Sequence, residues 1–161
     1  MTLKTTDLCD QFEQRARVLA PIFHDFGGRA AFDGVAVTVK CFEDNSRIKE
    51  LSLTPGAGKV LVVDAGGSSR CAVVGDVIAG DFVKNGWAGI VLFGYVRDKA
   101  ALAALPLGVK ALGTNPRRSN KRSEGQANIP VEIGGHVCHP GDHIYADEDG
   151  VIILNENVAA K

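Results

Sequence analysis

The sequence has no surplus of charge of either sign: 18 Lys and Arg against 19 Asp and Glu leave a net charge of −1 over 161 residues. General nucleic-acid and membrane-surface binders usually show a large basic excess, so direct binding to either is not expected. No apolar run approaches the roughly 18 residues of a membrane span. The opening "MTLKTTDLCDQFEQR" lacks the apolar centre of a signal peptide, and a cytoplasmic protein is expected. The four cysteines, Cys9, Cys41, Cys71 and Cys138, show no CxxC spacing, which fits reduced thiols better than a disulfide framework. Nucleotide loops are missing too, since "GGSSR" has neither GxxxxGK[ST] nor GxGxxG spacing. Internal repeats, low-complexity tracts and shifts of composition are absent.

What is present is an ordinary globular composition, 45% hydrophobic and 23% charged. A chain of this size can bury about 68 to 70% of its unfolded surface, so residues 1–161 are read as one α/β domain. "TTDLCDQF" supplies helix caps before an amphipathic turn, and a further short helix in "NSRIKELSLTPGAG" is stopped by Pro55 and Gly56. Asp33-Gly34 reads as a hairpin turn, followed by Val35, Val37 and Val39 in strand alternation. "KVLVVDAGG" is a short apolar strand. Between Asp76 and Gly86, Val77, Ile78, Phe82 and Val83 recur at helical spacing, and the apolar run Ile90, Val91, Leu92, Phe93 follows. Strand, glycine loop, helix and strand form a crossover between parallel strands, whose carboxyl ends share the edge where open α/β sheets bind ligands.

Two groups meet at that edge. The helix start Gly75, Asp76, Val77, Ile78 offers free N–H groups and the positive end of a dipole, suited to a carboxylate, although Asp76 acting as a simple cap explains it as well. Arg97 and Asp98 close the following strand. An extended chain would send their side chains to opposite faces, so each would seek another partner: an oxyacid for Arg97, a hard cation for Asp98. Arg117, Arg118, Lys121 and Arg122 form a basic loop with no interleaved aromatic for base stacking, and a solvated loop is expected. His136, Cys138, His139 and His143 crowd together without zinc-site spacing.

The segments "LCD", "FGGRAAF", "VKCFEDNS", "GKVLVVDAGGSSRCAVVGD", "NGWAGIVLFGYVRD", "LGVKALGTNPRRS" and "PGDHIYADEDGV" appear in order along almost the whole chain. Through them the sequence resembles the RraA-like family, which includes regulators of ribonuclease E activity and class II pyruvate aldolases. The resemblance implies a swivelling β/β/α layered core and a homotrimer. It also matches an aldolase signature of Asp, twenty residues, then Arg-Asp: Asp76 and the Arg97-Asp98 pair enclose Val77 to Val96. By position, Asp98 would hold a divalent metal (Mg²⁺ or Mn²⁺), Arg97 would contact substrate and Asp76 would orient or polarise the metal's water. Gly75, Asp76, Val77 and Ile78 would hold a substrate carboxylate. The implied reaction is cleavage of 4-hydroxy-4-methyl-2-oxoglutarate to pyruvate, with decarboxylation of oxaloacetate beside it, both through a pyruvate enolate. Some relatives carry a further acidic residue three positions after the metal Asp, where this sequence has Ala101. The competing implication is a protein-binding regulator that inhibits ribonuclease E. A methyltransferase label attached to relatives is not supported by any GxGxG-type cofactor loop after the first strand.

Overall fold

In the computed structural model, which describes residues 3–158, helix α1 (Thr5–Gln11) precedes the short strands β1 (Arg17–Val18) and β2 (His24–Asp25) and the long strand β3 (Phe32–Lys40). Helix α2 (Ser46–Ser52), strand β4 (Lys59–Asp64), helix α3 (Asp76–Lys84) and strand β5 (Gly89–Phe93) follow. Then come β6 (Tyr95–Val96), α4 (Lys99–Ala103), β7 (Gly108–Ala111), β8 (Gly113–Thr114) and β9 (Gln126–Ala127). Two hairpins complete the order: β10 (Val131–Ile133) with β11 (His136–Cys138), and β12 (His143–Asp147) with β13 (Gly150–Leu154).

Strands β3, β4, β5 and β7 run parallel as neighbours, and the expected crossover through α3 joins β4 to β5. Their runs of Val, Ile and Leu reflect burial on both faces. In β4, Val60 and Val62 point into one apolar cluster with Val91, Val131, Ile133 and Ile144, closed by the β10–β11 hairpin. Leu61 and Val63 point the other way, into a cluster with Ile48, Ile78, Phe82 and Leu102 from the helices. Fully burying each such side chain contributes about 1.5 to 3 kcal/mol. The layers are therefore hairpin, mixed sheet and helices, the β/β/α arrangement of an α/β domain. Antiparallel β12, β13 and β1 extend the sheet beyond β3, and β2 closes the far edge against β7. Among the described residues no helix is long and apolar enough to cross a membrane.

Two local expectations fail. Asp33-Gly34 makes no turn: both lie within β3, and Gly34 is not among the residues with positive φ that an Asp-Gly hairpin needs. A Cβ at Gly34 would sit 2.8 Å from the Gly58 carbonyl oxygen, so this glycine serves a close backbone approach. Asp33 instead reaches the buried His143, with Oδ2 2.8 Å from Nε2. Val77, grouped above with the apolar face of α3, is 74% exposed, because that face is defined by Ile78, Ala79 and Phe82.

Candidate active site

The site is assembled where the chain leaves the main sheet. Strand β5 ends at Phe93, and Gly94 follows at a crowded point, where a Cβ would lie 2.9 Å from that of Ala65. Beyond it, β6 pairs in parallel with β8 on one side. On the other side the Val73 N–H donates to the Tyr95 carbonyl at 3.0 Å, and the Arg97 N–H to the Val74 carbonyl at 3.0 Å. This pairing sets Arg97 and Asp98 directly beside Gly75 and Asp76. A third segment joins them, since the Ala72 N–H donates to the Arg117 carbonyl at 2.7 Å.

All six residues singled out at the sheet edge line one cleft of about 190 Å³: Gly75, Asp76, Val77, Ile78, Arg97 and Asp98. Asp98 adopts a left-handed conformation (φ 60), which turns its side chain back, so that Oδ2 lies 4.0 Å from the Arg97 Nε. The expectation of opposed side chains assumed an extended chain and fails for that reason. Asp98 Oδ2 also accepts the Asp76 N–H at 3.0 Å, so the carboxylate of Asp98 caps α3, and Asp76 is not the cap. Helix geometry leaves the N–H groups of Val77 and Ile78 without intrahelical acceptors. Gly75 is the floor of this arrangement: a Cβ there would stand 2.7 Å from Asp98 Oδ2 and 3.3 Å from Arg97 Nε.

The far wall was missed. Lys49, Arg118 and Lys121 also line the cleft, although composition cast the basic loop as merely solvated. Hydrogen bonds fasten that loop to the segment before α2. The Asn120 N–H donates to the Glu43 carbonyl at 2.8 Å, the Arg122 N–H to Asp44 Oδ2 at 2.5 Å, and the Ser123 N–H to Ser46 Oγ at 3.0 Å. Asn45, 6% exposed, closes the base by donating to the Val73 carbonyl at 3.2 Å, and its buried Oδ1 has no partner among the described residues. Beside this cleft lies another, lined by Glu43, Arg70, Arg117 and Arg118, where hydrogen bonds from Ser68 and then Arg70 hold the Glu43 carboxyl below its usual range.

Other nucleophiles are muted. The four cysteines are unpaired, and burial, reinforced by nearby Asp44 and Asp64, pushes the Cys41 thiol up to about 12. Burial does the same to Cys138, also to about 12. Among the described residues no three His, Cys, Asp or Glu are grouped to hold a metal ion. A cation in the cleft would therefore have to draw most of its ligands from water and substrate. The oxygen of Asp98 suits such an ion, because Mg²⁺ usually binds through one or two carboxylates and keeps several waters. Its Oδ1 accepts no hydrogen bond among the described residues.

Residues 5–153 match the family described as RraA-like: Aldolase/RraA. The chain belongs to the RraA-like family. A relative from Laribacter hongkongensis, named as a candidate 4-hydroxy-4-methyl-2-oxoglutarate aldolase, is 53% identical over 94% of this chain and 96% of its own. One from Alkalilimnicola ehrlichii with the same name is 50% identical over 98% of each. Among solved structures, the RNA-processing inhibitor RraA from Thermus thermophilis superposes with a TM-score of 0.93 at 40% identity, covering 97% of this RraA-like chain and 94% of that one. An S-adenosylmethionine:2-dimethylmenaquinone methyltransferase from Geobacillus kaustophilus gives 0.96 at 42% identity, with 99% of each chain covered.

Proposed function

We propose that this protein is a divalent-metal-dependent carbon–carbon lyase that cleaves 4-hydroxy-4-methyl-2-oxoglutarate to two pyruvates and decarboxylates oxaloacetate. The observation that carries the reading is the convergence of the α3 start, Arg97 and Asp98 in one cleft, held by the Arg97–Val74 and Asp76–Asp98 hydrogen bonds. The names of the relatives at about 50% identity point the same way.

The N–H groups of Val77 and Ile78 would bind the carboxylate next to the 2-oxo group, aided by the helix dipole. Asp98 would hold Mg²⁺ or Mn²⁺, which supplies Lewis-acid stabilisation of charge developing on the 2-oxo oxygen. Arg97 would add a fixed positive charge beside that oxygen. In the aldol substrate, loss of the 4-hydroxyl proton starts the cleavage. The C3–C4 bond breaks, its electron pair passes into C2–C3 to form the pyruvate enolate, and the second pyruvate departs. Asp76 would take up the hydroxyl proton through an intervening water, a contribution of about 10² to 10⁴-fold, and protonation at C3 completes the turnover. With oxaloacetate the same bond breaks to release CO₂.

A second reading, inhibition of ribonuclease E, is favoured by the likeness to the Thermus inhibitor and by the exposed Arg117 and Arg118. One preparation serves both tests. Pyruvate release from each substrate is measured with Mg²⁺ or Mn²⁺, with EDTA, and in Asp98→Gly; RNA cleavage by ribonuclease E is measured with and without the protein. Glycine is chosen because φ 60 penalises alanine. Relief of the left-handed strain and loss of the cap, each about 1 kcal/mol, offset one another, so the variant folds. The lyase reading expects chelation or Asp98→Gly to abolish pyruvate release. Turnover indifferent to both removes the metal assignment, and no turnover with inhibition of RNA cleavage favours the regulator.

A further inference from the structure

The cleft holds more positive charge than a pyruvate-sized anion requires. Four cationic side chains, Lys49, Arg97, Arg118 and Lys121, line it against two acidic ones, Asp76 and Asp98. In the lyase reading the α3 start already accounts for a 2-oxo acid's first carboxylate and Arg97 for its 2-oxo oxygen. Arg118 and Lys121 stand on the opposite segment and have no carboxylate within 4.0 Å among the described residues. Arg117, Arg122 and the cleft's Lys49 likewise have none, whereas Arg47 pairs with Glu50 at 3.0 Å and Arg70 with Glu43 at 2.6 Å. The backbone beneath Arg118 and Lys121 is pinned at Arg117, Asn120 and Arg122 by the bonds to Ala72, Glu43 and Asp44. Two unpaired cations on a fixed wall, facing a carboxylate site across a cleft, form the recognition pattern for an acid with a charge at each end.

We propose that Arg118 and Lys121 determine specificity by binding the distal carboxylate of a dicarboxylic 2-oxo acid. The inference rests on the reading of the cleft as a 2-oxo-acid site. Retro-aldol cleavage leaves that distal carboxylate on the departing pyruvate, so gripping it orients the C3–C4 bond. In oxaloacetate the distal carboxylate is itself the group lost as CO₂, and holding it gives no such advantage. Arg118 and Lys121 therefore favour the aldol substrate, with its five-carbon main chain, over four-carbon oxaloacetate.

The test is calorimetric and needs no turnover. With Mg²⁺ present, pyruvate, 2-oxopentanoate and 2-oxoglutarate are titrated into the wild type, Arg118→Lys, and the double variant Arg118→Ala/Lys121→Ala. 2-Oxoglutarate has the five-carbon skeleton without the 4-hydroxyl, so it cannot be cleaved, and 2-oxopentanoate lacks only the distal carboxylate. The wild type is expected to prefer 2-oxoglutarate to 2-oxopentanoate by about 10-fold, as for an exposed charge-assisted contact. In the double variant the preference falls to about 1 while pyruvate affinity stays within about 2-fold, and Arg118→Lys keeps part of it. No preference in the wild type, a preference surviving in the double variant, or equal loss for all three acids overturns the inference while the 2-oxo-acid reading stands. A wild type that binds none of the three overturns both.

Discussion

Gly75 shows how much of the site depends on one missing side chain. Its φ of −125 is open to any residue, so alanine there brings no backbone strain, only the contact with Asp98 and Arg97. The added Cβ would displace the Asp98 carboxylate, the shorter of the two contacts at 2.7 Å. Gly75→Ala is expected to lower kcat/KM for pyruvate release by about 10 to 100-fold, the order reached by misplacing a reacting group by 1 Å. Its melting temperature should stay within a few degrees of the wild type. Unchanged kinetics would mean that the positions of Arg97 and Asp98 over Gly75 are immaterial. At this scale the sequence singled out Asp76, Arg97 and Asp98, which line one cleft, but not the geometry that brings them together. An extended chain and a left-handed turn at Asp98 are both compatible with "YVRDKA", and only the pairing of Arg97 with Val74 selects between them.

At the scale of elements, the wall carrying Arg118 and Lys121 is held by a buried acid on another segment. Asp44, 1% exposed, accepts the Ser46 N–H at 2.9 Å and the Arg122 N–H at 2.5 Å, joining the start of α2 to the basic loop. Asp44→Ala leaves both donors without their carboxylate and is expected to cost about 2 to 4 kcal/mol in urea denaturation. A cost below about 0.5 kcal/mol, the level of an ordinary surface change, would show that this acid does not fasten the loop. The crossover β4–α3–β5 was legible because its signals are local: unbroken apolar runs in the two strands, Ile78 and Phe82 one turn apart in the helix. The loop was not, because "RRSNKRSEGQ" has the composition of solvent-exposed chain, and its anchors Glu43 and Asp44 lie over 70 positions away. Asp33-Gly34 misled for a related reason. The dipeptide permits a turn, and the close approach of Gly58 makes it strand instead.

Across the whole molecule, paired carboxylates bind segments remote in sequence, which makes acid the condition that should loosen the fold. Asp147 accepts the Thr5 N–H at 2.8 Å and the Thr5 hydroxyl at 2.7 Å, while its own carbonyl receives the buried Lys110 Nζ at 2.6 Å. Helix α1, β12 and β7 thus meet at one residue. Burial alone would raise the Asp147 carboxyl, but the Thr5 and Asp149 donors outweigh it and hold it below its ordinary value. Asp44 is lowered likewise, with burial opposed by its bonds to Ser46 and Arg122. In both cases the unfolded chain binds protons more readily than the folded one below about pH 4 to 5. Their stabilisation is present above the unfolded value near about 3.9 and is lost as pH falls through the depressed folded values. Asp147→Asn should therefore be less stable than the wild type at pH 7 by about 1 to 3 kcal/mol, with the gap narrowing steadily towards pH 2. Urea midpoints across that range decide the matter. A gap as wide in acid as at neutrality would mean that the charge of Asp147 contributes nothing, and that only the shape of its side chain holds α1 to the sheet.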